Sequence, residues 1–208
     1  MVFKHYSFNS IRDKADEVRS QYWKGNKIPV DIDKIIEFGF GLEVRPVAGL
    51  KSQLDIEGML SNDLSVIFVD NNMFSDARFE SRLRFTLAHE LGHLILHREF
   101  YESVEFKSPE DWFKLMEGID QADLSWYETH ANEFAGRLLV PPDHLENEIK
   151  SLQEDIEKVY KKAKEQGLGE ETDKWVQSFV ANKISSKFHV SPQTIETRLR
   201  REKTTLLK

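Results

Sequence analysis

The chain has 208 residues, 39% of them hydrophobic, with 4 Trp, 5 Tyr and 14 Phe. That is enough for a packed core and excludes disorder over the whole length. It has no cysteine, which excludes disulfides, thiolate catalysis and Cys-ligated zinc ribbons and suits a reducing compartment. The net charge of −7 is unevenly placed: residues 174–208 hold eight Lys/Arg and two Glu, a basic tail on an acidic body that hints at an anionic partner for the tail alone.

No apolar run approaches the roughly 20 residues that span a bilayer. The opening MVFKHYSFNSIRDK lacks the apolar stretch of a secretory signal, so a cytoplasmic protein with no membrane partner is expected. Residues 9–24 read as an exposed helix after Ser7 or Asn9. A short helix begins near Asp31 and stops at Gly39 and Gly41. Three strands follow, Leu42–Val47, Leu54–Leu60 and Leu64–Val69, with Ser61-Asn62-Asp63 as a hairpin turn between the last two. Val66-Ile67-Phe68-Val69 is continuously apolar, as in a strand buried on both faces.

Ser75 or Asp76 then caps a long helix running through Arg98. Phe79, Leu83, Leu87, Leu91 and Leu94 form one apolar line on it and Phe85, Ala88, Gly92 and Leu96 another, the mark of a buried helix. Residues 99–123 are acidic and read as an irregular insertion or flap around Trp112 and Phe113. Ser125 opens the next helix and Pro141-Pro142 closes it. Leu145, Ile149, Leu152, Ile156 and Val159 mark an amphipathic helix over 144–165. It either packs on its own domain, the favoured reading, or forms a coiled-coil arm that would allow a dimer. Gly167-Leu168-Gly169 ends it, and two helices, 174–188 and 192–202, flank the turn His189-Val190-Ser191.

His89-Glu90-Leu91-Gly92-His93 is the metal-binding H-E-x-x-H pattern inside the buried helix. Residues i and i+4 lie one turn apart on one face, so two imidazoles can converge on one ion. Glu90 projects about 100° round the helix and can hold an activated water without ligating the metal. These polar residues interrupt an apolar helix, where burying each unpaired would cost roughly 1–3 kcal/mol.

A catalytic zinc site needs a third protein ligand and an open position. His97 lies eight residues from His89, roughly 12 Å of rise and too far for one ion. On the next long helix Glu128, Asn132 and Ala135 share a face, and Glu128 is its one carboxylate. His130 competes, pointing about 200° away from Glu128. The alternative for Glu128 is a capping box with Ser125.

The stretch from Arg82 through His89-Glu90-Leu91-Gly92-His93 to His97, then Glu128-Thr129-His130-Ala131-Asn132-Glu133-Phe134-Ala135, then Leu138-Leu139-Val140-Pro141, resembles the ImmA/IrrE family of metallopeptidases. The resemblance extends more loosely from about Pro29 to Pro142. It implies an α+β, zincin-like fold: a small antiparallel or mixed sheet packed on the H-E-x-x-H helix, with a helical, helix-turn-helix-like appendage at the C-terminus. The division expected is a metallopeptidase domain over 1–143, an amphipathic helix and connection over 144–173, and the appendage over 174–208. A gluzincin-like site is implied, with His89, His93 and Glu128 as ligands and Glu90 as catalytic base. One divalent metal is expected, zinc first, with Mn2+ and Fe2+ able to occupy the same ligands.

The chemistry implied is hydrolysis of a peptide bond by a cation-activated water, with Glu90 moving the proton. Tyr127, His130 and Arg84 are candidates for the oxyanion or substrate; Arg82 and Arg84 equally suit ion pairs that anchor the helix. The strand before the helix, or Leu54–Leu60, can receive substrate by strand addition. The resemblance further implies a regulatory protease whose substrate is a helix-turn-helix transcriptional repressor. The alternative is a DNA- or partner-binding regulator, or a toxin–antitoxin component, with a structural or vestigial metal site. In the C-terminal segment Ser191 caps a helix with Pro192 at its first position. Gln193, Thr194, Thr197, Arg198 and Arg201 form an exposed face suited to nucleic acid. A helix pair that closes the domain without touching DNA is the favoured reading.

Overall fold

The computed structural model describes residues 4–167 and 169–202. Helix α1 (Phe8–Tyr22) is capped by Ser7, whose Oγ accepts from the Ser10 N–H, and buries Ile11, Ala15 and Val18. Asp31 caps a short helix, α2 (Ile32–Lys34), which continues as a π-helical turn over Ile35–Gly39 and buries Ile32, Ile35 and Ile36. Strand β1 (Glu43–Val47) follows. The expected strand Leu54–Leu60 shrinks to β2 (Gly58–Leu60), because Leu50–Leu54 is a one-turn helix, α3. Left-handed residues at Gly49 and Asp55 bracket α3, and the Lys51 N–H donates to the Asp70 carboxylate.

Strand β3 (Val66–Asp70) is central: it pairs in parallel with β1, Glu43 opposite Val66, and antiparallel with β2, Gly58 opposite Val69. The sheet is therefore mixed, and the turn at Ser61–Asp63 joins β2 to β3 as expected. Asp70 caps α4 (Asn71–Ser75). Asp76 caps a 3₁₀ turn, Ala77–Phe79, rather than the long helix itself, which is α5 (Glu80–Leu96).

Residues 99–123 are largely helical, with irregular backbone at 103–108 and 118–120. Helix α6 (Arg98–Glu102) adjoins α5, and α7 (Pro109–Glu117) begins at a Ser108 cap with Pro109 at its first position. Trp112 is buried on Tyr101, the rings stacked nearly parallel with centroids 5.3 Å apart. Helix α8 (Gln121–Leu139) starts from Asp120, whose carboxylate accepts from the Ala122 and Asp123 N–H groups. Ser125 is thus inside the helix, and Glu128 is not its capping-box partner.

Two helices stand where one amphipathic helix is expected: α9 (Pro142–Ser151) and α10 (Gln153–Glu165), broken at Leu152. Leu145, Ile149 and Ile156 are buried within this chain, so the stripe packs on its own domain. Helices α11 (Thr172–Phe188) and α12 (Pro192–Arg201) follow, with His189 in the left-handed region and Ser191 accepting from the Thr194 N–H. The outcome is a mostly helical α+β, zincin-like fold with its small sheet against α5. No helix among the described residues is long and apolar enough to cross a membrane.

Candidate metal centre

Helix α5 presents His89 and His93 one turn apart, with the two Nε2 atoms 2.9 Å from each other. Gly92 lies between them because α8 crosses there: a Cβ on Gly92 would meet Phe134 Cδ1 at 3.1 Å and the Ala131 backbone at 3.2 Å. That approach brings in Glu128, whose carboxylate oxygens stand 3.1 Å from His89 Nε2 and 3.9 Å from His93 Nε2. Donors held about 2.0–2.1 Å from one tetrahedral ion lie about 3.3 Å apart, so separations of 2.9, 3.1 and 3.9 Å suit a shared cation. Two imidazoles and a carboxylate are also the donor set of a catalytic zinc.

Glu90 also groups with His89 and His93, one donor atom from each of the three lying within 4.8 Å of the others. Glu90 is buried on the sheet side of α5. Burial pushes its carboxyl up to about 7, the Glu128 charge adds to this, and the His89 charge and the Leu60 backbone pull against it. Strand β2 comes this close because Gly58 has no side chain: a Cβ there would meet Thr86 Cγ2 at 2.5 Å and Glu90 Cγ at 3.4 Å. The cleft, of about 490 Å³, is lined by Gly58, Met59, Glu90, Glu128, Tyr101 and Trp112 among others.

Behind the ligand candidates lies a second set of polar groups. His89 Nδ1 faces Asn132 Oδ1 at 3.1 Å, leaving Nε2 free to accept an ion when Nδ1 carries the proton. His93 Nδ1 faces His97 Nδ1 at 2.9 Å, and His97 Nε2 faces His130 Nδ1 at 3.3 Å. Burial and the three neighbouring imidazoles hold His93 well below the ordinary imidazole range; burial above all brings His97 down to about 3. At His89, burial works against the charge, but the Glu128 hydrogen bond and the carboxylates of Glu90 and Glu128 outweigh it and the net shift is upward.

Several expected residues are elsewhere. Tyr127 stacks on the His93 ring at 4.1 Å and donates its hydroxyl to Tyr101 Oη at 3.1 Å, so it supports the site from beneath instead of facing the cleft. His130 is buried beyond His97, with its Nε2 lacking a hydrogen-bond partner among the described residues. Arg84 is buried and donates to the Val30 carbonyl, tethering α5 through a backbone oxygen; Arg82 makes the anchoring ion pair, with Glu57. Tyr101, which lines the cleft, escaped the sequence reading because it sits in a stretch with no apolar period. The signal for Gly58 was a lone glycine within a strand pattern, which often marks a close backbone approach.

On the α12 face expected to be exposed, Gln193 and Arg201 are exposed, Thr194 and Thr197 are half-buried and Arg198 is turned inward. Arg198 is 1% exposed, with its guanidinium 2.8 Å from Glu133. Arg201 lies over the Phe8 ring and 3.6 Å from Glu133.

Residues 65–200, more than half of the chain, match the model of a family described as Peptidase M78, the IrrE N-terminal-like domain. No curated protein matches the chain.

Proposed function

Since the chain belongs to the Peptidase M78 family, that of the IrrE N-terminal-like domain, we propose that it is a metal-dependent endopeptidase of narrow specificity. The observation that carries this reading is the convergence of His89, His93 and Glu128 on one point beside a buried Glu90. In it His89 Nε2, His93 Nε2 and the Glu128 carboxylate hold the ion, zinc in the first instance. A bound divalent cation supplies Lewis acidity, activating water and polarising the scissile carbonyl.

Glu90 takes the proton of the attacking water and passes it to the leaving amine. Burial raises this carboxyl to about 7 in the metal-free protein; a bound cation would draw it down, favouring the carboxylate that takes the water proton. Tyr127 donates to Tyr101 Oη, which leaves the Tyr101 proton for the cleft. Burial holds that phenol well above its ordinary value, so it stays a donor, and Tyr101 is the oxyanion partner we assign. Strand β2 lies at one side of the sheet and its Gly58 and Met59 line the cleft, which suits an extended substrate added as a further strand. The family resemblance supports regulatory cleavage of a helix-turn-helix repressor in the cytoplasm.

The test is metal content by elemental analysis of wild type, Glu90→Gln and Glu128→Ala, together with cleavage of co-expressed candidate repressors. Metal is expected to stay in Glu90→Gln and to leave Glu128→Ala, with cleavage by wild type alone. A wild type that binds no metal under any loading condition overturns the reading.

A further inference from the structure

Instead of standing free, the inward face of α12 walls a second cavity. It has a volume of about 780 Å³, and Gln193, Thr197 and Arg201 lie on one side of it with Arg78 and Arg82 on the other. This cavity shares Glu57, Phe85 and Asn132 with the cleft that holds Glu90. The two therefore adjoin at these three residues, one holding the converging donors and the other ending against α12, and together they make up a trench.

The α12 side of this second part is the edge of a charge network with more guanidinium than carboxylate groups, of which Glu133, Arg198 and Arg201 line the cavity. Glu133 meets Arg12 and Arg198 at 2.8 Å and Arg201 at 3.6 Å. Arg198 and Arg137 share Glu202, and Arg137 and Arg19 share Asp16. Five guanidinium groups thus face three carboxylates in one connected network among the described residues. The long contact of Arg201 and its 40% side-chain exposure leave this the cation with most to offer a ligand. On the opposite rim Arg78 and Arg82 are matched by Asp76 and Glu57, so the excess stays on the α12 side. The other flank of the trench differs in chemistry, with Trp112, Phe113, Met116 and Leu124 around Tyr101.

We propose that the α12 end of the trench is a subsite for an acidic side chain of the polypeptide substrate, remote from the bond that is cut, with the aromatic flank taking an apolar side chain. This rests on the peptidase reading and names the class of sequence that site accepts. Concavity favours a single extended chain over duplex DNA, whose major groove needs a projecting helix. One partly exposed charge pair sets the size of the effect at about five-fold in affinity.

The experiment uses zinc-loaded full-length Glu90→Gln and pools of fluorescein-labelled decapeptides with a central Phe and Asp, Asn or Lys at each position to one side. Anisotropy titrations should show the best Asp pool binding about five-fold tighter than its Asn counterpart and Lys weakest. Adding Arg201→Gln should remove the preference for Asp while leaving the Asn pool unchanged. Arg78→Gln, a rim substitution that leaves the buried network alone, guards against misfolding and should reduce the preference only slightly. Equal binding of Asp and Asn pools, or no binding of any pool at millimolar peptide, overturns the subsite. So does a short DNA duplex that binds more tightly than every pool and is lost with Arg201→Gln. Wild-type cleavage of the same pools is scored separately. Cutting without charge preference rejects the subsite and keeps the peptidase; charge preference in a protein that binds no metal under any loading condition rejects the peptidase and keeps an acidic-peptide site.

Discussion

Glu90 shows how a functional carboxyl is maintained at the expense of stability. Its folded value of about 7 lies above its ordinary 4.5, so the folded state holds that proton more tightly than the unfolded chain does. The resulting stabilisation is complete below the unfolded value and is lost as pH rises through about 7. A rise from 4.5 to about 7 corresponds to about 3 kcal/mol. In protein stripped of metal by a chelator, Glu90→Gln keeps the shape and removes the charge. It is expected to match wild type near about pH 5 and to exceed it by up to about 3 kcal/mol above about pH 8. Urea titrations at the two pH values check this, and equal stability at both would show that burial of the charge is not being resisted.

The contact between β2 and α5 is what places that carboxyl, and it depends on Gly58. A Cβ at this position meets Thr86 Cγ2 at 2.5 Å, so Gly58→Ala has to push the strand or Thr86 aside. Overpacking of this kind costs about 1–3 kcal/mol, and a lowered Tm with weakened peptide cleavage is the expected result. Gly58→Ala,Thr86→Ser, which removes the clashing methyl, should restore the Tm; if Gly58→Ala alone is silent, the strand has more room than its geometry indicates. Legibility at this scale followed chemistry and period. His89 and His93 were readable because a buried apolar helix has no other reason to carry them one turn apart, and Glu128 because it is the sole carboxylate on its face. Short elements with paired caps were not. Leu50 and Leu54 fit a strand or a single helical turn equally well, and left-handed Gly49 and Asp55 decide for the turn. Helix α7 has its signature in Ser108-Pro109, masked by acidic neighbours, and the break at Leu152 lies within an apolar stripe that runs on unbroken.

Across the whole molecule, the C-terminal pair is clasped to the rest by buried charge. Helix α12 was legible as a helix from Ser191-Pro192, but its orientation was not, because Arg198 shares an arc with Ile195 and Leu199 and is buried with them. Its partner Glu133 is 65 residues away in sequence, beyond the reach of any local pattern. Burial brings the Arg198 guanidinium down to about 10 against the pull of Glu133. Removing the acid strands the base: Glu133→Gln is expected to cost about 3–5 kcal/mol, read as a drop in the urea midpoint. Replacing Glu133 and Arg198 together by Leu and Met should recover much of that loss, since an apolar pair can substitute for a buried ionic one. A double variant as unstable as Glu133→Gln would mean that the clasp depends on Arg12, Arg137 and Arg201 rather than on this pair.

Each neutral imidazole in the row His93, His97, His130 carries one proton for two nitrogens, and so the row has a direction. With the contacts running Nδ1 to Nδ1 and Nε2 to Nδ1, the protons all point outward from the cleft or all point inward. A reversal at one ring would set two N–H groups or two lone pairs face to face. A cation on His93 Nε2 would select the outward order. Occupancy of the cleft would thereby be recorded as a single binary state at the buried Nε2 of His130, beside the Tyr6 ring, a register written by the metal and legible two residues' contact away from it.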